Sequence, residues 1–152
     1  MKLFVACAVA VAAGAATAAA GATGPPQPAA GAGTATPAVL TNVQLADGNV
    51  VADFTQQGVI AGTFTGTFTV VGHVITHPDG TTNADAFVTF TGTTPCGAGT
   101  VVFQANSRTV AGIGPGHAET VEAATNTANI QSNTDIAFAG PAFTYSGTYH
   151  CR

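Results

Sequence analysis

The chain has 152 residues, a formal net charge of −4 and only 7% charged residues. Its basic residues are Lys2, Arg108 and Arg152, too few to neutralise a phosphate backbone, which excludes nucleic acid as a partner and disfavours anionic membrane surfaces. With Lys2 removed in a leader, two arginines face seven acids (Asp47, Asp53, Asp79, Asp85, Glu119, Glu122, Asp135), so 2 − 7 gives −5 for the mature chain.

Residues 1–20 read as a secretory signal peptide. Lys2 gives a minimal positive start, Leu3–Ala13 is an apolar run, and Ala16-Thr17-Ala18 or Ala18-Ala19-Ala20 supplies small residues for cleavage. Cys7 lies inside the apolar run rather than after it, which does not suit a lipoprotein. The expected location is therefore extracellular, with no helical membrane span left after cleavage. Residues 21–38 contain Pro25, Pro26, Pro28 and Pro37 among Ala, Gly and Thr. That stretch has no apolar periodicity and reads as a disordered linker. Residues 39–152 remain, about 115 residues, enough for one core and too few for two.

Within that domain, Val39–Leu45 alternates as a first strand, Ala46-Asp47-Gly48-Asn49 is a turn, and Val50–Thr55 resumes. Gly58–Thr94 reads as one long strand, a turn and a returning strand. His77-Pro78-Asp79-Gly80 carries the turn chemistry of a short hairpin. A three-residue loop pairs His77 with Thr81, so every pair sums to 158: Val70 opposes Val88, Phe68 opposes Phe90, Gly66 opposes Gly92. Phe64, Phe68, Val70, Val74, Ala86, Val88 and Phe90 then share one face, while Thr65, Thr67 and Thr69 meet Thr93, Thr91 and Thr89 on the other. Gly58, Gly62, Gly66 and Gly72 give the long strand places to bend, as in a sheet that curls into a barrel.

Pro95–Gly99 makes the next connection and Thr100–Ala105 the next strand, with Val101 and Phe103 inward. Gly112–Gly116 reads as a turn or loop. Ala118–Ala128 fits one helical turn or a poor strand, Ile130–Phe138 a weak strand, and Phe143–Cys151 a clear one. Regular short runs between Gly, Pro, Asn and Asp turns predict an all-β fold, a small antiparallel β-barrel of about eight strands. Cys96 and Cys151 survive cleavage, and an even pair in an exported protein predicts a disulfide.

The runs Gly62-Thr63-Phe64-Thr65-Gly66, Pro78-Asp79-Gly80-Thr81, Phe90-Thr91-Gly92 and Gly97-Ala98-Gly99-Thr100-Val101-Val102-Phe103 resemble a bacterial secreted family of unknown function. That family is itself similar to the allene oxide cyclase-like and dirigent-like small barrels. The likeness covers about residues 58–105. It implies a barrel with an apolar interior; no set of cyclase catalytic residues is matched.

Candidate chemistry is sparse. His73 and His77 share a strand face but sit roughly 13 Å apart at about 3.4 Å per residue, too far to hold one metal ion. The register sets His73 opposite Asp85, a cross-strand pair. His117 and His150 stand alone in sequence. No nucleophile elbow is present, Asp53, Asp85 and Asp135 have outward parity, and no glycine-rich segment leads into a helix. No catalytic residue, metal ligand or cofactor is therefore assigned, and the reading leans away from an enzyme.

The threonine rows have the composition of an ice-binding face, but threonine is common on any solvated sheet. Phe64, Phe68, Phe90, Phe103 and Tyr145 converge on the inner face and are the candidate ligand-lining residues. Val71, Ile75 and Phe87 lie outward near the turn and mark a candidate homo-oligomer contact. The leading function is a binding module for a small hydrophobic ligand. The alternatives are a structural or protein-interaction domain of the cell envelope, and a cyclase-like or isomerase-like enzyme with Tyr145 or Tyr149 as its polar group.

Overall fold

The computed structural model describes residues 24–152. Residues 1–20, read as a signal peptide, and residues 21–23 of the linker lie outside them. The described chain is all β, with nine strands: β1 (Gln27–Ala35), β2 (Val39–Ala46), β3 (Asn49–Gly62), β4 (Thr65–Thr76), β5 (Thr81–Thr94), β6 (Gly97–Val110), β7 (Ile113–Thr120), β8 (Ile130–Ala139) and β9 (Ala142–Cys151). Every pairing is antiparallel, in the order β1-β9-β8-β7-β6-β5-β4-β3-β2.

A second pairing of β1 with β3 closes eight strands into a barrel. β1 takes the Gly58–Gly62 half of β3, from Ala35↔Gly58 to Gly31↔Gly62. The ninth strand, β2, takes the other half, from Val39↔Thr55 to Ala46↔Asn49. β1 and β2 thus lie end to end along one edge of β3. β1 is also zipped to β9, but among the described residues β2 has no strand on its outer side. The barrel is closed at one end and opens where β2 begins.

The hairpin register follows the predicted sum: Thr65↔Thr93, Phe68↔Phe90, Val70↔Val88 and His73↔Asp85. The turn closes with His77 N–H donating to Thr81 O at 2.8 Å and Gly80 N–H donating to His77 O at 2.9 Å. Inward and outward parity follows, because one face is buried and a slip would exchange phenylalanine for threonine.

Three expectations are corrected. Residues 27–35, placed in the linker, form β1; small residues let this strand lie beneath aromatic rings, and its pattern carries no apolar periodicity to announce it. The single long strand from Gly58 is two strands reversing at Gly62-Thr63-Phe64. Gly62 has φ of 119°, which an L side chain rarely adopts. Thr63 pins the reversal to β1: its amide donates to Ala30 O at 2.9 Å and its hydroxyl accepts from Ala30 N–H at 2.9 Å. The Gly112–Gly116 stretch is mostly strand, the turn being Ala111-Gly112. The β6–β7 ladder lapses only between Ser107↔Gly116 and Val110↔Ile113, beside Pro115, which has no amide proton to give.

The core is built at the closed end from Phe64, Phe90, Val101, Phe103 and Tyr145, with Ala128 and Ile130 capping it from below. β7 is too short to cover the start of β6, so the connection 121–129 does so with side chains. Asn126 Oδ1 accepts Val102 N–H at 2.8 Å, and Thr127 Oγ1 accepts Thr100 N–H at 2.8 Å. A smaller cluster of Phe54, Phe68 and Val70 lies nearer the open end.

Candidate functional site

The inner face of the barrel encloses an apolar cavity of about 390 Å³ that opens beside the start of β2. Its size falls in the range of small-molecule sites. Alternation places Phe68 and Val70 of β4, Ala84, Ala86 and Val88 of β5, and Ala105 of β6 along its wall. Phe64, Phe90, Phe103 and Tyr145 form its floor, and Leu40 of β2 stands at its mouth. All five ligand-lining residues predicted from sequence, Phe64, Phe68, Phe90, Phe103 and Tyr145, line this cavity. Phe54, Phe138 and Phe143 also line it; all three sit on predicted strands whose pairing was not predicted.

The floor is rigid. Phe64 packs edge-on against Phe90 and Phe103 at centroid distances of 6.0 and 6.1 Å and stacks on Tyr145 at 5.6 Å. Tyr145 Oη accepts the Phe64 amide proton at 2.9 Å, satisfying a buried donor at the Gly62–Phe64 reversal. Burial raises the Tyr145 phenol above its usual range, so it stays neutral. Tyr149, the other polar candidate, packs against the floor cluster and is not part of the lining.

Among the described residues the lining contains no Asp, Glu, His, Lys or Arg. Its polar members include Gln56, Thr82, Ser107, Thr109 and Thr134. Thr134 donates to Ala118 O at 3.3 Å and Gln56 to Thr36 O at 2.7 Å. Thr76, Thr82 and Thr109 stand side by side across β4, β5 and β6 near the open end, the first two hydroxyls 3.2 Å apart. The site can therefore bury an apolar body and hydrogen-bond near its mouth, and the ionisable group among its described lining residues is the neutral Tyr145 phenol, already bonded to the Phe64 amide.

Five ionisable side chains lie outside in a cross-strand row with Asn106 and Ser146: Asp53, His73, Asp85, Asn106, His117, Asp135 and Ser146 are successive register partners on β3 to β9. His73 faces Asp85 as predicted, but its Nδ1 bonds Asp53 on the other flank at 3.1 Å. Asp53 is already oriented by Asn42 Nδ2, which donates to its Oδ2 at 2.6 Å from a bulge where Asn42 has φ of 51°. His117 Nδ1 meets Asp135 Oδ1 at 3.0 Å, His150 meets Gln131 at 2.9 Å, and His77 is held between Asn49 and Asn83 at 2.8 Å each. Sequence reasoning missed most of these partners because Asp53, Asn49, Asp135 and Gln131 sit on strands whose pairing was not predicted; Asn83 lies within the predicted hairpin but is not the register partner of His77. Among the described residues no group of three or more His, Cys, Asp or Glu is arranged to hold a metal ion.

Val71 and Phe87 oppose each other on the outer face and are 62% and 56% exposed. Ile75 beside them is partly covered. Cys96 and Cys151 are bonded, with Cα atoms 5.4 Å apart, at the closed end. No family model and no curated protein matches the sequence.

Proposed function

We propose that this chain is a secreted binding module that carries a small hydrophobic molecule inside its barrel. The observation that carries the reading is the open apolar cavity of about 390 Å³, since a purely structural barrel of this size fills its interior with side chains. The disulfide supports an oxidising, extracellular setting. Apolar residues inside and threonine, aspartate and histidine outside are the reverse of a transmembrane barrel, which supports work in water. Kinship with allene oxide cyclase-like and dirigent-like barrels is part of the same proposal. Its cyclase-like or isomerase-like extension draws no support from a lining without carboxylate or imidazole.

Native mass spectrometry of protein purified from its source tests the reading. A small molecule is expected to travel with the wild type and to be absent from Ala86→Trp, whose indole would fill the cavity. Protein that is bare in both, and takes up no apolar compound on incubation, would defeat it.

A second reading, an interaction domain of the cell envelope or a homo-oligomer, is favoured by exposed Val71 and Phe87 beside partly covered Ile75. Sedimentation equilibrium of wild type and Phe87→Ser decides it. A self-association lost in the variant supports it, and a wild type that stays monomeric at high concentration removes the oligomer.

A further inference from the structure

Resting on the reading of the interior as a ligand site, we infer that the barrel selects an uncharged molecule, inserted apolar end first, and rejects carboxylates and other anions of the same shape. Among the described residues the lining has no cation to pair with an anionic group, and an ion stripped of water without a partner is strongly disfavoured.

The polarity of the wall is graded. At the floor, the rings of Phe64, Phe90 and Phe103 leave only the Tyr145 hydroxyl, already accepting the Phe64 amide. Near the mouth, Thr82 and Thr109 oppose each other across β5 and β6, and Ser107 lies two residues further in on the same face. A neutral hydroxyl, ether or carbonyl on the ligand finds hydrogen-bonding partners there, whereas Gln56 and Thr134 elsewhere in the lining already donate to Thr36 O and Ala118 O.

The surroundings of the mouth also disfavour anions. Asp47 and Asp79 sit in the β2–β3 and β4–β5 turns at this end. Asp79 is kept ionised because Thr81 N–H donates to its Oδ1 at 2.9 Å. Arg108, on the outward parity of β6, pairs in register with Asn83 rather than entering the lining. Asp47 and Asp79 outnumber Arg108, whose charge acts on Asp79 at this end, and an anion that enters meets no compensating charge among the described lining residues.

Two fluorescent probes with one aromatic body separate the claims: phenylnaphthylamine, which is neutral, and anilinonaphthalene sulfonate, which is anionic. The chain contains no tryptophan, so binding is read without intrinsic indole background. The full disulfide-bonded protein is expected to bind the neutral probe at least about tenfold more tightly, a difference of about 1.4 kcal/mol or more. Equal affinities would overturn the charge rule while leaving the ligand site standing. Failure of both probes would remove the site itself, and this inference with it.

Ser107→Lys, and independently Thr109→Lys, place a cation at the mouth and should bring the sulfonate to within a few-fold of the neutral probe. Retained binding of the neutral probe shows that each variant is folded. A folded lysine variant that still discriminates as wild type does would also overturn the inference.

Discussion

Phe68 of β4 stands opposite Gly58 of β3, and its ring occupies the volume that a side chain at position 58 would need. The arrangement recurs around the barrel. Tyr145 lies over Gly31, Phe143 over Gly33 and Phe54 over Gly72, each pair being register partners. Glycine on the inner face thus makes room for an aromatic ring on the adjacent strand, and the ring covers the backbone that glycine exposes. At position 58 the Thr34 carbonyl closes the other side, so the backbone would have to move as well. Gly58→Ala is expected to destabilise the protein by about 1–3 kcal/mol through overpacking. Chemical denaturation of both proteins checks this, and equal midpoints would contradict it.

These glycines also explain what the sequence concealed. The Pro78-Asp79-Gly80 hairpin was legible because its turn chemistry is local and its two faces differ sharply in polarity. β1 was not, because its inward positions 29, 31, 33 and 35 are Ala, Gly, Gly and Ala, which look like linker until a ring is placed over them. The reversal at Gly62–Phe64 was hidden for a related reason: Thr63 and Phe64 continue the threonine–phenylalanine alternation through the bend. The five predicted lining residues came from inward parity alone. That the interior holds space rather than a filled core depends on how inward side chains from strands distant in the chain meet across the barrel, which no local pattern encodes.

The Tyr145 hydroxyl supplies a second test. It satisfies the Phe64 amide inside the closed end, where water cannot take its place. Tyr145→Phe keeps the ring stack and leaves that donor without a partner. The expected loss is about 1–3 kcal/mol, measured by thermal or urea unfolding. A neutral substitution would mean that the Gly62–Phe64 reversal is held by Thr63 and β1 alone.

Acid stability should report two surface carboxylates. Asp53 is held below the ordinary 3.8 first by the Asn42 hydrogen bond and then by His73, and Asp79 by the Thr81 amide and hydroxyl. A depressed folded-state value means the contribution is complete above 3.8 and is lost as pH falls through the lower folded value. Asp53→Asn and Asp79→Asn should therefore be less stable than wild type at neutral pH and converge with it under strong acid. Asp53 is half-exposed and Asp79 exposed, so the differences will be small and best read as shifts in Tm against pH. Curves that diverge as pH falls would reverse the sign and refute the assignment.

Cys96 and Cys151 provide the strongest test, because the bond joins compartment, topology and stability. Cys96 sits in the β5–β6 turn and Cys151 ends β9, three strands away in the sheet beyond β8 and β7. The bond crosses the closed end and fastens the last strand over the floor of the cavity. Without it, the end of β9 is held by the Ile130↔Cys151 pairing and by Arg152, whose amide donates to Asn129 O at 2.9 Å and whose guanidinium meets Glu122. Cross-linking residues 55 apart removes enough unfolded-chain freedom for about 4 kcal/mol, and measured values commonly fall below that estimate. Cys151→Ala should therefore lower the unfolding free energy by about 2–4 kcal/mol under non-reducing conditions. In strong reductant the difference should vanish, since the wild type then loses the same constraint. Thiol titration of the denatured, unreduced mature protein should find no free cysteine. Two free thiols would remove the stabilisation and, with it, the support that the pair gives to export.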